Sequence, residues 1–266
     1  MTEIENPVPE RKIWGPWATV GLGLVIFVVF STVQSLALIA VIFPDLLSFL
    51  RSLPAQPDFY ELMNTMLTLF TTRMGLITSV ATCASAIVGV GFIMLFAGVR
   101  KGVSIAEYLG LKRVTVKQVL AVLGITMVFI FLADFAGLFV DTSASNEFML
   151  NIYNTSVWPV LLWAALIIFA PIFEEAFFRG FLLEGFWQSR LGPIGAVLLT
   201  AFAWALLHIQ YDFYGIATIF VMGILFGIVR IKTGSLWITI ILHAFTNMVS
   251  LVMIALQVEG FISWPG

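Results

Sequence analysis

The chain has 266 residues and a formal net charge of -2, and 61% of it is hydrophobic against only 11% charged, with a mean hydropathy of +1.05. A water-soluble domain is nearer a quarter charged, so this composition excludes an ordinary soluble globule. The charge balance gives no basic patch for nucleic acid, and the single Cys83 excludes an internal disulfide or a cysteine-rich metal knuckle.

Seven stretches approach or exceed the roughly 20 apolar residues that a spanning helix needs. They lie near 17–43, 74–99, 117–140, 157–187, 193–210, 213–230 and 235–257. The expected fold is an all-α polytopic membrane protein with about seven transmembrane helices. An eighth, re-entrant or broken element would reverse the C-terminus. The first apolar run exceeds that of a cleaved signal peptide and is expected to remain as a helix. Between the first two spans, Pro44, Pro54 and Pro57 precede an amphipathic run from Asp58 to Thr72 that suits the interface. Gly192-Pro193 and Thr233-Gly234-Ser235 punctuate the C-terminal half.

Lysine and arginine alternate between loops. Arg11 and Lys12 precede the first span, and Arg100, Lys101, Lys112, Arg113 and Lys117 follow the second. Arg190, Arg230 and Lys232 fall on the same side, opposite Arg51 and Arg73. The pattern predicts a cytoplasmic N-terminus, with the base-free loop 141–156 outside. The expected organisation is N-terminal spanning helices with a basic cytoplasmic loop over 1–156, a catalytic core over 157–257 and a short tail over 258–266.

The fourth, fifth and seventh spans carry groups that are costly in a bilayer and usually functional. Glu174 and Glu175 are adjacent, and Arg179 lies four residues beyond Glu175, on the same helical face. Glu174 points about 100° away, free for another partner. Trp204 and His208 repeat the four-residue spacing, as do His243 and Asn247. Glu174 and His208 both approach mid-membrane. A carboxylate in an apolar pocket suits a general base, and His and Asn donors suit a developing oxyanion. Such a set could activate water and hydrolyse a peptide bond without a serine or cysteine nucleophile. Taken singly, the Glu–Arg pair suits a structural lock, a buried His suits packing, and Asn247 suits interhelical adhesion. Asp134 reads as interfacial or hydrogen-bonded, Glu184 as solvated, and Asp212 as a gate or a bystander.

The ordered elements Glu174-Glu175-Ala-Phe-Phe-Arg179-Gly180, Trp204-Ala-Leu-Leu-His208 and His243-Ala-Phe-Thr-Asn247 resemble the three motifs of the CAAX-protease and bacteriocin-processing (CPBP, or Abi) family of intramembrane endopeptidases. The similarity covers roughly 157–250, and Tyr108-Leu109-Gly110-Leu111 is also similar to bacterial members. The resemblance implies that Glu174 and His208 activate the catalytic water, that His243 and Asn247 form the oxyanion pocket, and that Glu175 and Arg179 support them. It also implies a bacterial-type cell membrane and a peptide or membrane-protein substrate. Trp204 departs from the phenylalanine usual at that position, a change of pocket shape.

No cofactor is expected, although zinc held by Glu174, His208 and His243 is an alternative, since catalytic zinc takes three protein ligands. No His-Glu-x2-His helix is present, which favours the metal-free mechanism. A catalytically silent scaffold or chaperone of the same fold is the alternative function. A proton-coupled carrier is weakened by the lack of repeated halves.

Overall fold

The computed structural model describes residues 13–53 and 58–262, and within these every regular element is helical. The expected bases Arg11 and Lys12, and Pro54 and Pro57, lie outside the described residues. Ten helices follow in order: α1 Pro16–Ser52, α2 Phe59–Thr72, α3 Met74–Gly98, α4 Ile105–Leu109, α5 Val116–Gly137, α6 Ser143–Asn154, α7 Pro159–Trp187, α8 Gly192–Leu206, α9 Phe213–Thr233 and α10 Leu236–Val258. Among them α1, α3, α5, α7, α9 and α10 are long and apolar enough to cross a membrane. With α8 as a shorter apolar helix, the chain is an all-α polytopic membrane protein, as expected.

Several expectations need correction. α1 does not stop before Pro44 but runs through it to Ser52. A proline removes one backbone donor, and in an apolar setting the helix remains the only economical way to pair the other backbone groups. The stretch 141–156 is not an open loop: α6 occupies most of it. The fifth expected span, 193–210, contracts to the 15 residues of α8.

Lipid-like exposure marks the outside of the bundle. α5 presents Leu120, Ile125, Val128, Phe131, Leu132 and Phe135 at its surface, as a bilayer-facing helix should. Inward, small residues let helices approach closely, which is how packing substitutes for hydrophobic exclusion in lipid. At Gly89 of α3 a Cβ would lie 2.4 Å from the Phe173 ring of α7. Phe173 stacks in turn on Phe30 of α1 and on Phe177. At Gly75 a Cβ would meet Ile152 O at 2.1 Å, and the Gly75 N–H donates to Thr155 Oγ1 at 2.8 Å. Through Gly89, Phe30 and Phe173, α1 and α3 brace the part of α7 that carries both glutamates, while Gly75 seats α3 against the end of α6.

The basic connection 100–117 is ordered by α4, whose N-terminus closes a capping box between Ser104 and Glu107. Tyr108 is fully buried, and Gly110 turns the chain at φ +69°. Gly110 O accepts from Leu236 N at 2.8 Å, Lys112 O from Ser235 Oγ at 2.6 Å, and Leu109 O from Arg230 Nη2 at 3.2 Å. Arg230 also pairs with Glu184 at 2.6 Å, both about 1% exposed. Glu184 is therefore not solvated, and Arg230 is not a free loop base. Each needs the other's charge once removed from water.

Candidate active site

α7 is the spine of the site, and it is not a plain α-helix. Two stretches, Ala165–Phe169 and Ala176–Leu182, widen to π geometry on either side of the Ala170–Glu175 segment. Pro171 explains part of the first, because it has no N–H to return to carbonyls one turn back. Asn247 Nδ2 of α10 donates instead to Leu166 O at 2.7 Å. π turns inside α-helices often occur at functional sites. Here they flank the glutamate pair.

Glu175 and Arg179 form the expected i,i+4 pair, Arg179 Nη1 to Glu175 Oε1 at 3.0 Å, with both side chains wholly buried. Arg179 Nη2 also donates to Gly223 O at 3.2 Å, and its guanidinium lies 4.4 Å from the centroid of the Trp204 ring. A planar cation between a carboxylate, a carbonyl and an aromatic face is well compensated in a dry interior. The pair is thereby shut away from solvent.

Glu174 is the accessible carboxylate, with its side chain 22% exposed. It is not without a local partner: Trp204 Nε1 donates to Glu174 Oε2 at 2.5 Å. His243 stands between the two glutamates. Its Nδ1 lies 3.1 Å from Glu175 Oε1, and its Nε2 lies 4.0 Å from Glu174 Oε2. Because Glu175 is an ion-paired carboxylate that can only accept, His243 carries a proton on Nδ1. A neutral His243 therefore presents a lone pair at Nε2, and only the doubly protonated ring presents an N–H there.

His208 is placed differently from the sequence expectation. α8 ends at Leu206, and His208 sits in the following turn, its N–H bonded to Ala205 O at 3.0 Å. Its Nδ1 is 2.9 Å from Trp204 O, and a carbonyl can only accept, so Nδ1 holds the proton and Nε2 is a free acceptor. The Trp204 ring makes edge contacts with both histidines, at centroid distances of 5.4 Å to His208 and 5.2 Å to His243. Trp204 thus contacts Glu174, Arg179 and both histidines.

Glu174, His208, His243 and Asn247 all line one cavity of about 710 Å³. Its walls come from α1, α3, α5, α6, α7, α9 and α10, from Trp204 of α8 and from the turn after it, and its size falls in the range of ligand sites. Glu175 and Arg179 lie behind this wall. Tyr211, not singled out from the sequence, also lines the cavity and stacks on His208 at 6.1 Å. Burial pushes its phenol up to about 12, so the hydroxyl remains protonated. Asp212 caps α9 by accepting from Gly215 N at 2.7 Å and bonds Ser145 of α6 at 2.5 Å, so it is a staple at the cavity's α6 end.

A zinc ion held by Glu174, His208 and His243 would need three converging protein ligands. Among the described residues, no three His, Cys, Asp or Glu side chains gather in a way that could hold a metal ion. Glu174 Oε2 accepts from an indole N–H and both Nδ1 atoms are held by oxygen acceptors, an arrangement that leaves the two histidine Nε2 atoms as the lone-pair donors of the set.

Comparison with known proteins agrees with the motif resemblance. Residues 156–249 match a family model described as type II CAAX prenyl endopeptidase Rce1-like. A stretch of 107 residues is 30% identical to an Escherichia coli protein described as an uncharacterized 24.3 kDa protein, covering 37% of this chain and 48% of that one. The chain spans about half the length of the curated relative it matches. No solved structure matches it. The family resemblance read from three short motifs is thus borne out over the segment that carries all six candidate residues.

Proposed function

We propose that this chain is an intramembrane endopeptidase that hydrolyses a peptide bond in a membrane-associated substrate. The observation that carries the reading is the convergence of Glu174, His208, His243 and Asn247 on one cavity in a membrane-spanning bundle. Glu174 and the Nε2 lone pair of His208 take a proton from water as it attacks the scissile carbonyl. The oxyanion then forms beside His243 and the Asn247 amide. Asn247 has a second N–H besides the one given to Leu166 O, which suits that task. His243 serves as an oxyanion donor only with Nε2 protonated, so this step needs the imidazolium. Glu175 and Arg179 hold the His243 ring and the Trp204 indole in place. Collapse of the tetrahedral intermediate returns the proton to the leaving amine, and no covalent enzyme intermediate arises.

The same reading makes residues 157–257 the catalytic unit and the preceding helices its supporting wall. It sets the chain in a bacterial-type cell membrane with its N-terminus cytoplasmic, in accord with the loop charges. The test is cleavage of a quenched peptide library by purified, reconstituted protein in the presence of hydroxylamine. Direct water attack predicts products ending in a free carboxylate only, with Glu174→Gln and His208→Ala each lowering kcat at least about a hundredfold. Hydroxamate-ended products would indicate an acyl-enzyme and refute the mechanism.

A further inference from the structure

Among the described residues that line the cavity there is no lysine or arginine, whereas two carboxylates, Glu174 and Asp134, face it. Glu174 has its indole partner. Asp134 of α5 is an exposed carboxylate on that wall, with no hydrogen-bond or ion-pair partner among the described residues. It lies in the last turn of a spanning helix, beside the exposed apolar residues Phe131, Leu132 and Phe135. A carboxylate there is costly unless a partner or water compensates it.

Behind this wall the Arg179 cation is paired with the Glu175 carboxylate, which leaves Asp134 and Glu174 as the carboxylates on the wall itself. Residues 118–178, which build α5, α6 and most of α7, contain Asp134, Asp141, Glu147, Glu174 and Glu175 but no lysine or arginine. Asp212 adds a further acid at the α6 end. A low-dielectric cleft lined by one sign of charge concentrates the opposite sign. The aromatic rings of Phe129, Tyr211 and Tyr214 on the same wall are compatible with a cation and with the apolar stem that carries it.

Resting on the peptidase reading above, we propose that Asp134 is a specificity subsite that receives a lysine or arginine side chain of the bound peptide. The substrate class is then an apolar, membrane-associated segment with one basic residue at a fixed distance from the cleaved bond. An acidic residue at that distance would be repelled. Asp134 takes no part in water activation.

Binding and cleavage are measured separately. A neutral apolar peptide carrying lysine, norleucine or glutamate at successive positions is titrated onto Glu174→Ala protein in phosphatidylcholine nanodiscs, and its anisotropy is read. Lysine is expected to bind at least about tenfold tighter than norleucine at one position, as a desolvated ion pair should. Asp134→Asn should bring that ratio close to one, Asp134→Glu should preserve it, and Asp134→Lys should transfer the preference to glutamate. Equal binding of lysine and norleucine at every position overturns the subsite, as does a lysine preference that survives Asp134→Asn. Binding of no peptide overturns both readings. Wild-type protein that binds with the lysine preference yet cleaves nothing refutes the peptidase and leaves the subsite standing.

Discussion

Trp204 has a role that its sequence position alone did not disclose. A ring of any kind would fill the space between the two histidines, but only an indole offers the N–H that reaches Glu174. A hydrogen bond to a charged group contributes about 1.5–3 kcal/mol. Trp204→Phe keeps an aromatic ring and removes that donor. We expect kcat to fall about tenfold or more with little change in KM, measured by steady-state cleavage of one optimised peptide. A change in KM alone would return Trp204 to a shape role. Asp212 gives a second residue-scale test, outside the spans. Burial opposes its charged form, but hydrogen bonds from Ser145 and Gly215 outweigh this and hold its carboxyl below the usual range. With the folded value depressed, its contribution is present above the unfolded value of about 4 and lost as pH falls through the folded one. Asp212→Asn should therefore lower Tm at pH 7, and the gap to wild type should close below about pH 4. A gap independent of pH would contradict this assignment.

At the scale of helices, the close approach of Gly110 to Arg230 ties the connection 100–117 to α9. A Cβ at Gly110 would lie 2.2 Å from Arg230 Nη2, and the φ of +69° already disfavours any other residue. Gly110→Ala should destabilise the protein by roughly 1–3 kcal/mol in reversible unfolding in detergent. Gly124→Ala, where nothing lies within 4 Å, should cost little or stabilise slightly. Equal effects at the two glycines would contradict the docking of α4. Helices α3, α5, α7, α9 and α10 were legible in sequence because a spanning helix needs a long apolar run. Other features were not, for local reasons. The fate of Pro44 depends on the solvent, since lipid favours a continuous helix over an exposed break. α6 lacks a strongly apolar run, and α8 stops short because His208 belongs to a turn bonded back to Trp204 and Ala205. The Glu175–Arg179 pair was readable from spacing, but Asn247's bond to Leu166 depends on a π turn that spacing does not encode.

For the whole molecule, the arrangement separates burial from access. Glu175, Arg179, Glu184 and Arg230 are locked in ion pairs away from solvent, while Glu174 is partly exposed and lines the cavity together with both histidines. Breaking a buried pair costs about 3–5 kcal/mol, so the inner pairs hold the frame on which the outer groups work. The central claim is that Glu174 acts as a base on water without a metal. The most direct measurement is peptide cleavage by purified wild-type protein and by Glu174→Ala, each with and without a chelator and added zinc. The account predicts wild-type cleavage that survives chelation and disappears with Glu174→Ala. Cleavage abolished by the chelator and restored by zinc would contradict it, as would cleavage that persists without the Glu174 carboxylate.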